Sequence, residues 1–132
     1  MKHLPIFLNL QNSDCLIIGG GDIALRKIKI LLRAQANVTC ISIESCKGIH
    51  KLANDGRIKL YERAYANDDI QKQTLVIAST DKKDLNKEIA DLCKTKSIPV
   101  NVVDSTVLST FLIPAIIDRS PIQIAVSSEG AS

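Results

Sequence analysis

Tryptophan is missing from this 132-residue chain, and two phenylalanines and two tyrosines are its only aromatic residues. That leaves little from which to build a stacking platform for bases. A concentrated basic face is lacking too. Lys and Arg number 17 against 14 Asp and Glu, a net charge of +3. So mild a balance argues against nucleic acid as a partner, while suiting a small anionic ligand. No run reaches the length of about 18 apolar residues that spans a membrane. The N-terminal "MKHLPIFLNLQNSD" holds a short apolar patch, but Pro5 and Asn9 interrupt it and no small-residue cleavage site follows. It reads as mature protein rather than as a signal peptide. Cys15, Cys40, Cys46 and Cys93 form no Cys-x-x-Cys pair and read as reduced thiols of a cytoplasmic protein. His3 and His50 have no partner at ligand spacing, so no metal site is expected. Internal repeats and low-complexity segments are absent.

What the chain does have is alternation. Apolar runs trade places with helix-period segments, the pattern of an α/β fold with a parallel sheet. Strands are expected at 15–19, 37–43, 57–62, 74–80 and 98–104. A helix from about 22 to 34 carries Ala24, Ile28 and Leu31 on one face, with Arg26, Lys29 and Arg33 toward water. A poorer helix ends at Gly56, and a well-marked one over 81–96 has Leu85, Ile89, Leu92 and Cys93 on one side. After Asp104 the rhythm changes. Two strands, about 110–117 and 121–127, joined by the turn "DRSP", read as a hairpin outside the βαβ pattern. The division expected is a nucleotide-binding domain over 1–109 and the start of a second unit over 110–132. The polar end "EGAS" coming so soon after a new hairpin reads as a cut.

Between the first strand and the first helix lies "CLIIGGGDIALRK". Gly19-x-Gly21-x-x-Ala24 fits the dinucleotide fingerprint in its required context, strand before and helix after. Gly19 would make the tight turn, Gly21 would let a pyrophosphate reach the backbone, and Ala24 would keep the helix close to the sheet. The helix N-terminus would offer N–H groups to the phosphates, and Asp22 could cap it. An acidic ribose reader belongs about 20 residues on. Glu44 stands there, one or two positions later than the ideal spacing, and an acidic residue at that place favours NAD. Ser42 with Lys47 is the alternative, as acceptors of a 2′-phosphate. At the end of the fourth strand Ser79 and Thr80 could line the nicotinamide side, or one of Ser79, Thr80 and Asp81 could merely cap the next helix. Asp104 leaves the fifth strand at the same rim. It is either a general base or a solvated turn former. Asn101, inside that strand, is a satisfied buried amide or a contact to substrate.

Taken together, "LPIFLNLQNSDCLIIGGGDIALRK", "STD", "NVVD" and "FLIPAIIDRSPIQIAVSS" resemble the precorrin-2 dehydrogenase, sirohydrochlorin-forming module of siroheme synthases. The resemblance runs in register over nearly the whole chain, including an N-terminal strand. It implies a Rossmann-like domain in which precorrin-2, an acidic tetrapyrrole, loses a hydride to NAD and a proton to a base. Some members also insert ferrous iron into the sirohydrochlorin. The family's NAD contacts fall on Gly21, Asp22, Ile23, Ile43 and Glu44, and its catalytic aspartate, after "NVV", on Asp104. Its serine pair falls on Ser127 and Ser128, near substrate. The hairpin after Phe111 would begin a dimerisation segment and pair across a two-fold axis, giving a homodimer. Family members continue past the serine pair, and no methyltransferase region is present here, so a complete trifunctional synthase is not expected. The other readings are a non-catalytic dinucleotide-sensing module and a truncated chain inert by itself.

Overall fold

The computed structural model describes residues 1–128. The tail "EGAS", 129–132, lies outside the described residues.

Among the described residues seven strands and three α-helices form in the order β1 (Asp14–Ile18), α1 (Asp22–Arg33), β2 (Asn37–Ser42), α2 (Lys47–Asn54), β3 (Lys59–Glu62), β4 (Leu75–Ala78), α3 (Lys83–Thr95), β5 (Val100–Val102), β6 (Ala115–Arg119) and β7 (Ile122–Val126). The first five strands make one parallel sheet in the order β3-β2-β1-β4-β5. This is the Rossmann-like α/β fold expected. The register aligns the strand ends. Ile18 lies opposite both Ile41 and Ala78, Ser42 opposite Glu62, and Ala78 opposite Val102. All five strands therefore release their chains along one rim, and the residues next in sequence gather there.

β1 reads Cys-Leu-Ile-Ile without alternation because it is covered on both faces. Cys15 and Ile17, with Val38, Cys40 and Ile77, pack against Ala24, Ile28 and Leu31 of α1 and Ile49 and Leu52 of α2. Leu16 and Ile18, with Ile41 and Val76, pack against Ile89, Ala90 and Cys93 of α3. Burial pushes the Cys15 thiol up to about 11 and the Cys40 thiol up to about 12, so both behave as small apolar side chains. All four cysteines are free.

Three expectations need correcting. Residues 1–10 form no strand: a strand exists only through its ladder, and no described strand pairs with them. Asp118 and Arg119 belong to β6, paired with Gln123 and Ile122, so the hairpin turns at Ser120-Pro121 rather than over "DRSP". The first hairpin strand also starts later than 110, because residues 110–111 are engaged with β5. Thr110 Oγ1 accepts from the Val100 N–H at 2.8 Å, Thr110 N–H donates to the Val100 carbonyl at 2.7 Å, and Asn101 Nδ2 donates to the Phe111 carbonyl at 3.1 Å. Arg33, at the end of α1, lies 3.6 Å from Asp118 and ties the hairpin to the helix.

Candidate functional site

The three glycines at the head of α1 are bare for different reasons. Gly19 has a φ of +138°, and a Cβ there would sit 2.1 Å from the Ser79 carbonyl oxygen. A Cβ on Gly20 would sit 1.9 Å from the Glu44 carbonyl oxygen. Those two are required by the protein itself. The turn is stitched to the end of β2 and the loop after it, with Gly19 N–H donating to Ile41 O at 2.9 Å and Cys46 N–H to Gly20 O at 2.8 Å. Gly21 differs. A Cβ there would meet nothing within 4 Å, and its φ of −90° suits any residue. Its bareness answers to no neighbour in the chain, and open space above a helix N-terminus is where a phosphate would rest. The residues present thus fit a dinucleotide. Asp22 does not cap α1: Gly21 occupies the cap position and Asp22 is the first helical residue, a favourable place for a negative side chain.

Around this turn opens a cleft of about 740 Å³, lined by Gly19, Gly21, Asp22, Ile23, Ile43, Glu44 and Thr80, all named from sequence. Ser42 lines it too, but its hydroxyl is hydrogen-bonded to that of Ser45, and Lys47 is not in the lining. The alternative phosphate pair is therefore not brought together. Thr80 is less available than expected. Its Oγ1 is 2.6 Å from Asn86 Oδ1 and accepts from the Lys82 N–H at 3.2 Å, while buried Asn86 also donates to the Thr80 carbonyl at 3.0 Å. Two lining residues, Arg63 and Tyr65, escaped the sequence reading. The signal was there: Arg63 directly follows β3, and the carboxyl ends of strands are where α/β sheets collect ligands.

A second cleft, of about 1130 Å³, lies between α1 and the hairpin. Arg26, Lys27 and Arg33 bring positive charge to it, Ile30, Leu112 and Ile116 an apolar surface, and Ser105, Thr106 and Ser109 hydroxyls. Burial, then Arg26, hold the Lys27 ammonium below the ordinary lysine value, with Asp104 pulling the other way. Ser127, Ser128 and Asn101 line this cleft as well. Asn101 is buried, and its Oδ1 has no hydrogen-bond partner among the described residues.

The two linings share Ile23, Val103 and Asp104. Asp104 has a φ of +58°, the left-handed region that Asp and Asn tolerate better than most residues. A carboxylate at this rim therefore has a conformational reason to stand there, as a turn former. Among the described residues no three His, Cys, Asp or Glu side chains gather as a metal cluster.

Residues 6–115 match the sequence profile of a family described as "Putative NAD(P)-binding". The chain is 50% identical over 130 residues to a siroheme synthase of Ruthia magnifica subsp. Calyptogena magnifica, covering 98% of this chain and 28% of that protein. It is 43% identical over 132 residues to a siroheme synthase of Thioalkalivibrio sulfidiphilus, covering 100% of this chain and 27% of that one. It thus spans 27–28% of the length of these curated relatives. Among solved structures, SirC, a precorrin-2 dehydrogenase, superposes with a TM-score of 0.83 at 25% identity, over 98% of this chain and 64% of that one.

Proposed function

The chain belongs to this family of NAD(P)-binding domains, and from that premise we propose that it oxidises precorrin-2 to sirohydrochlorin with NAD as hydride acceptor. The observation that carries the reading is the sharing of Asp104 between the nucleotide cleft and the second, cationic cleft. A dehydrogenation needs a donor carbon, an acceptor and a base at one point, and Asp104 stands where the two clefts meet. When bound, the nicotinamide supplies a place for the hydride. The chain's own residues do the rest. Backbone N–H groups at the head of α1 hold the pyrophosphate, and Glu44 takes the ribose hydroxyls. Arg26, Lys27 and Arg33 attract the carboxylates of the tetrapyrrole, and the apolar surface takes its flat ring. With the nicotinamide bound, the substrate carbon would lose its hydrogen with both bonding electrons as hydride, Asp104 would accept the proton from the adjoining atom, and the pair left behind by that proton would close the new double bond. Ser127, Ser128 and Asn101 are the substrate contacts in this reading. Ferrous iron, as a second substrate, would enter at the same cleft, with Asp104 taking pyrrole protons.

The division at 109/110 and the homodimer belong to the same proposal. Exposed Ile117, Ile122 and Ile124 on the hairpin support a segment that pairs with a second copy. Sedimentation as a monomer would overturn it. Four free thiols are in keeping with a cytoplasmic setting, and among the described residues no helix is long and apolar enough to cross a membrane.

The deciding experiment mixes the chain with precorrin-2 and NAD and follows NADH absorbance. Turnover is expected. NADH binding without turnover would leave a dinucleotide-sensing module and overturn the enzymatic reading.

A further inference from the structure

Neither the glycine turn nor Glu44 accounts for the far end of the first cleft. With Asp104 and Thr80 on one side of the pyrophosphate turn, the strand order puts β2 and β3 on the other, where adenosine would lie. Arg63 enters the lining there, beside Ile43, Glu44 and Tyr65.

Arg63 is not free to swing. Its Nη1 and Nη2 donate to Asp69 Oδ2 and Oδ1 at 2.9 and 2.8 Å, and Nη1 also donates to the Ala64 carbonyl at 3.2 Å. Asp69 is fixed in turn by the Ala66 N–H, which donates to Oδ2 at 2.8 Å, and only 13% of its side chain is exposed. The guanidinium also lies over the Tyr61 ring, 5.6 Å from its centroid. The Nη1–Nη2 edge of the fork is occupied and its charge balanced by Asp69, so a further phosphate would find only the side edge and little net charge. The plane of Arg63 is held, and 47% of the side chain is exposed. A flat, delocalised cationic face is what remains, and such a face stacks on a ring.

We propose that the Arg63–Asp69 pair is the adenine platform of this cleft and, with Glu44, selects a dinucleotide that lacks a 2′-phosphate. The inference rests on the dinucleotide reading of the cleft and goes beyond it by naming the residues that choose the cofactor. An unpaired arginine at this place would do the opposite, because arginine near the ribose accommodates a 2′-phosphate.

The test titrates the full chain with NADH, NADPH and ADP-ribose. Wild type is expected to bind NADH and ADP-ribose, and NADPH more weakly. Arg63→Ala should weaken NADH and ADP-ribose alike by about tenfold. Arg63→Lys keeps the charge but loses the plane, and should lose as much. Asp69→Asn releases the charge of Arg63 and should raise NADPH affinity relative to NADH by about tenfold. Should Arg63→Ala fail to fold, Arg63→Gln, which can still donate to Asp69, carries the same test. NADH binding unchanged in the Arg63 variants overturns the platform, and an unchanged cofactor ratio in Asp69→Asn overturns the selection. Failure of wild type to bind any of the three overturns the dinucleotide reading itself.

Discussion

The two clefts that meet at Asp104 are made of different material. Around the glycine turn the work falls to backbone. Gly19 and Gly20 pack against the carbonyls of Ser79 and Glu44, Gly21 leaves open space, and the Ser42 and Thr80 hydroxyls are committed to neighbours. The second cleft is made of side chains drawn from α1, from the turn after β5 and from the hairpin. A backbone site tolerates almost any side chain except where one would intrude. A side-chain site depends on charge and reach, so the two should fail in different ways.

The sharpest break is at the junction. Asp104→Asn keeps the shape and a residue suited to φ +58°, so the fold and NADH affinity should hold. Loss of a positioned base should lower kcat for precorrin-2 oxidation by about 10²–10⁴-fold. Unchanged turnover would remove Asp104 from the chemistry.

Next come the glycines. Gly19→Ala meets both a forbidden φ and a carbonyl, and should cost about 3 kcal/mol or more in denaturant unfolding. Gly21→Ala should cost no more than about 1 kcal/mol, the loss of a favoured cap residue, yet weaken NADH by about 10–100-fold because its Cβ would push the phosphate off the backbone donors. Equal effects on stability would erase the distinction between the two glycines.

Smaller changes belong to the second cleft. Arg26→Ala and Lys27→Ala should each raise KM for precorrin-2 by up to about fivefold without touching NADH affinity, and flatten the salt dependence of KM. A rise in the Kd for NADH would show that the clefts are not independent.

The smallest effect is a pH dependence. The Arg63 guanidinium beside Asp69 holds that carboxyl below the usual carboxylate value. A depressed acid stabilises the fold fully above the unfolded carboxylate value, near 3.9. The contribution is lost as pH falls through the folded value. The gap in melting temperature between wild type and Asp69→Asn should be open at neutral pH and close in strong acid.

Much of the first cleft was legible because its signals are local. Gly19, Gly21 and Ala24 are a spacing within one turn, and the α1 face of Ala24, Ile28 and Leu31 is a period within one helix. Arg63 was missed because β3 is short and its role depends on lying beside β2, which no local pattern announces. The cations of α1 were read only as facing water. Arg26 and Arg33 are indeed exposed, but the hairpin turns their exposure into the wall of a cleft. Residues 1–10 show the reverse error. The family resemblance implies a strand there, but Leu4, Ile6 and Phe7 stay exposed and no sheet edge among the described residues pairs with them.

Alternating hydrophobic periods and a glycine spacing were enough, by themselves, to determine a parallel α/β sheet with a phosphate-sized turn. Both depend on neighbours within a few residues, where sterics and helix geometry decide. The tertiary structure alone decided that Asp104 serves two clefts, that Gly20 is as constrained as Gly19, and that Arg63 is locked by Asp69. Each of those depends on which strands lie side by side, and strand order is settled by packing both faces of the sheet at once.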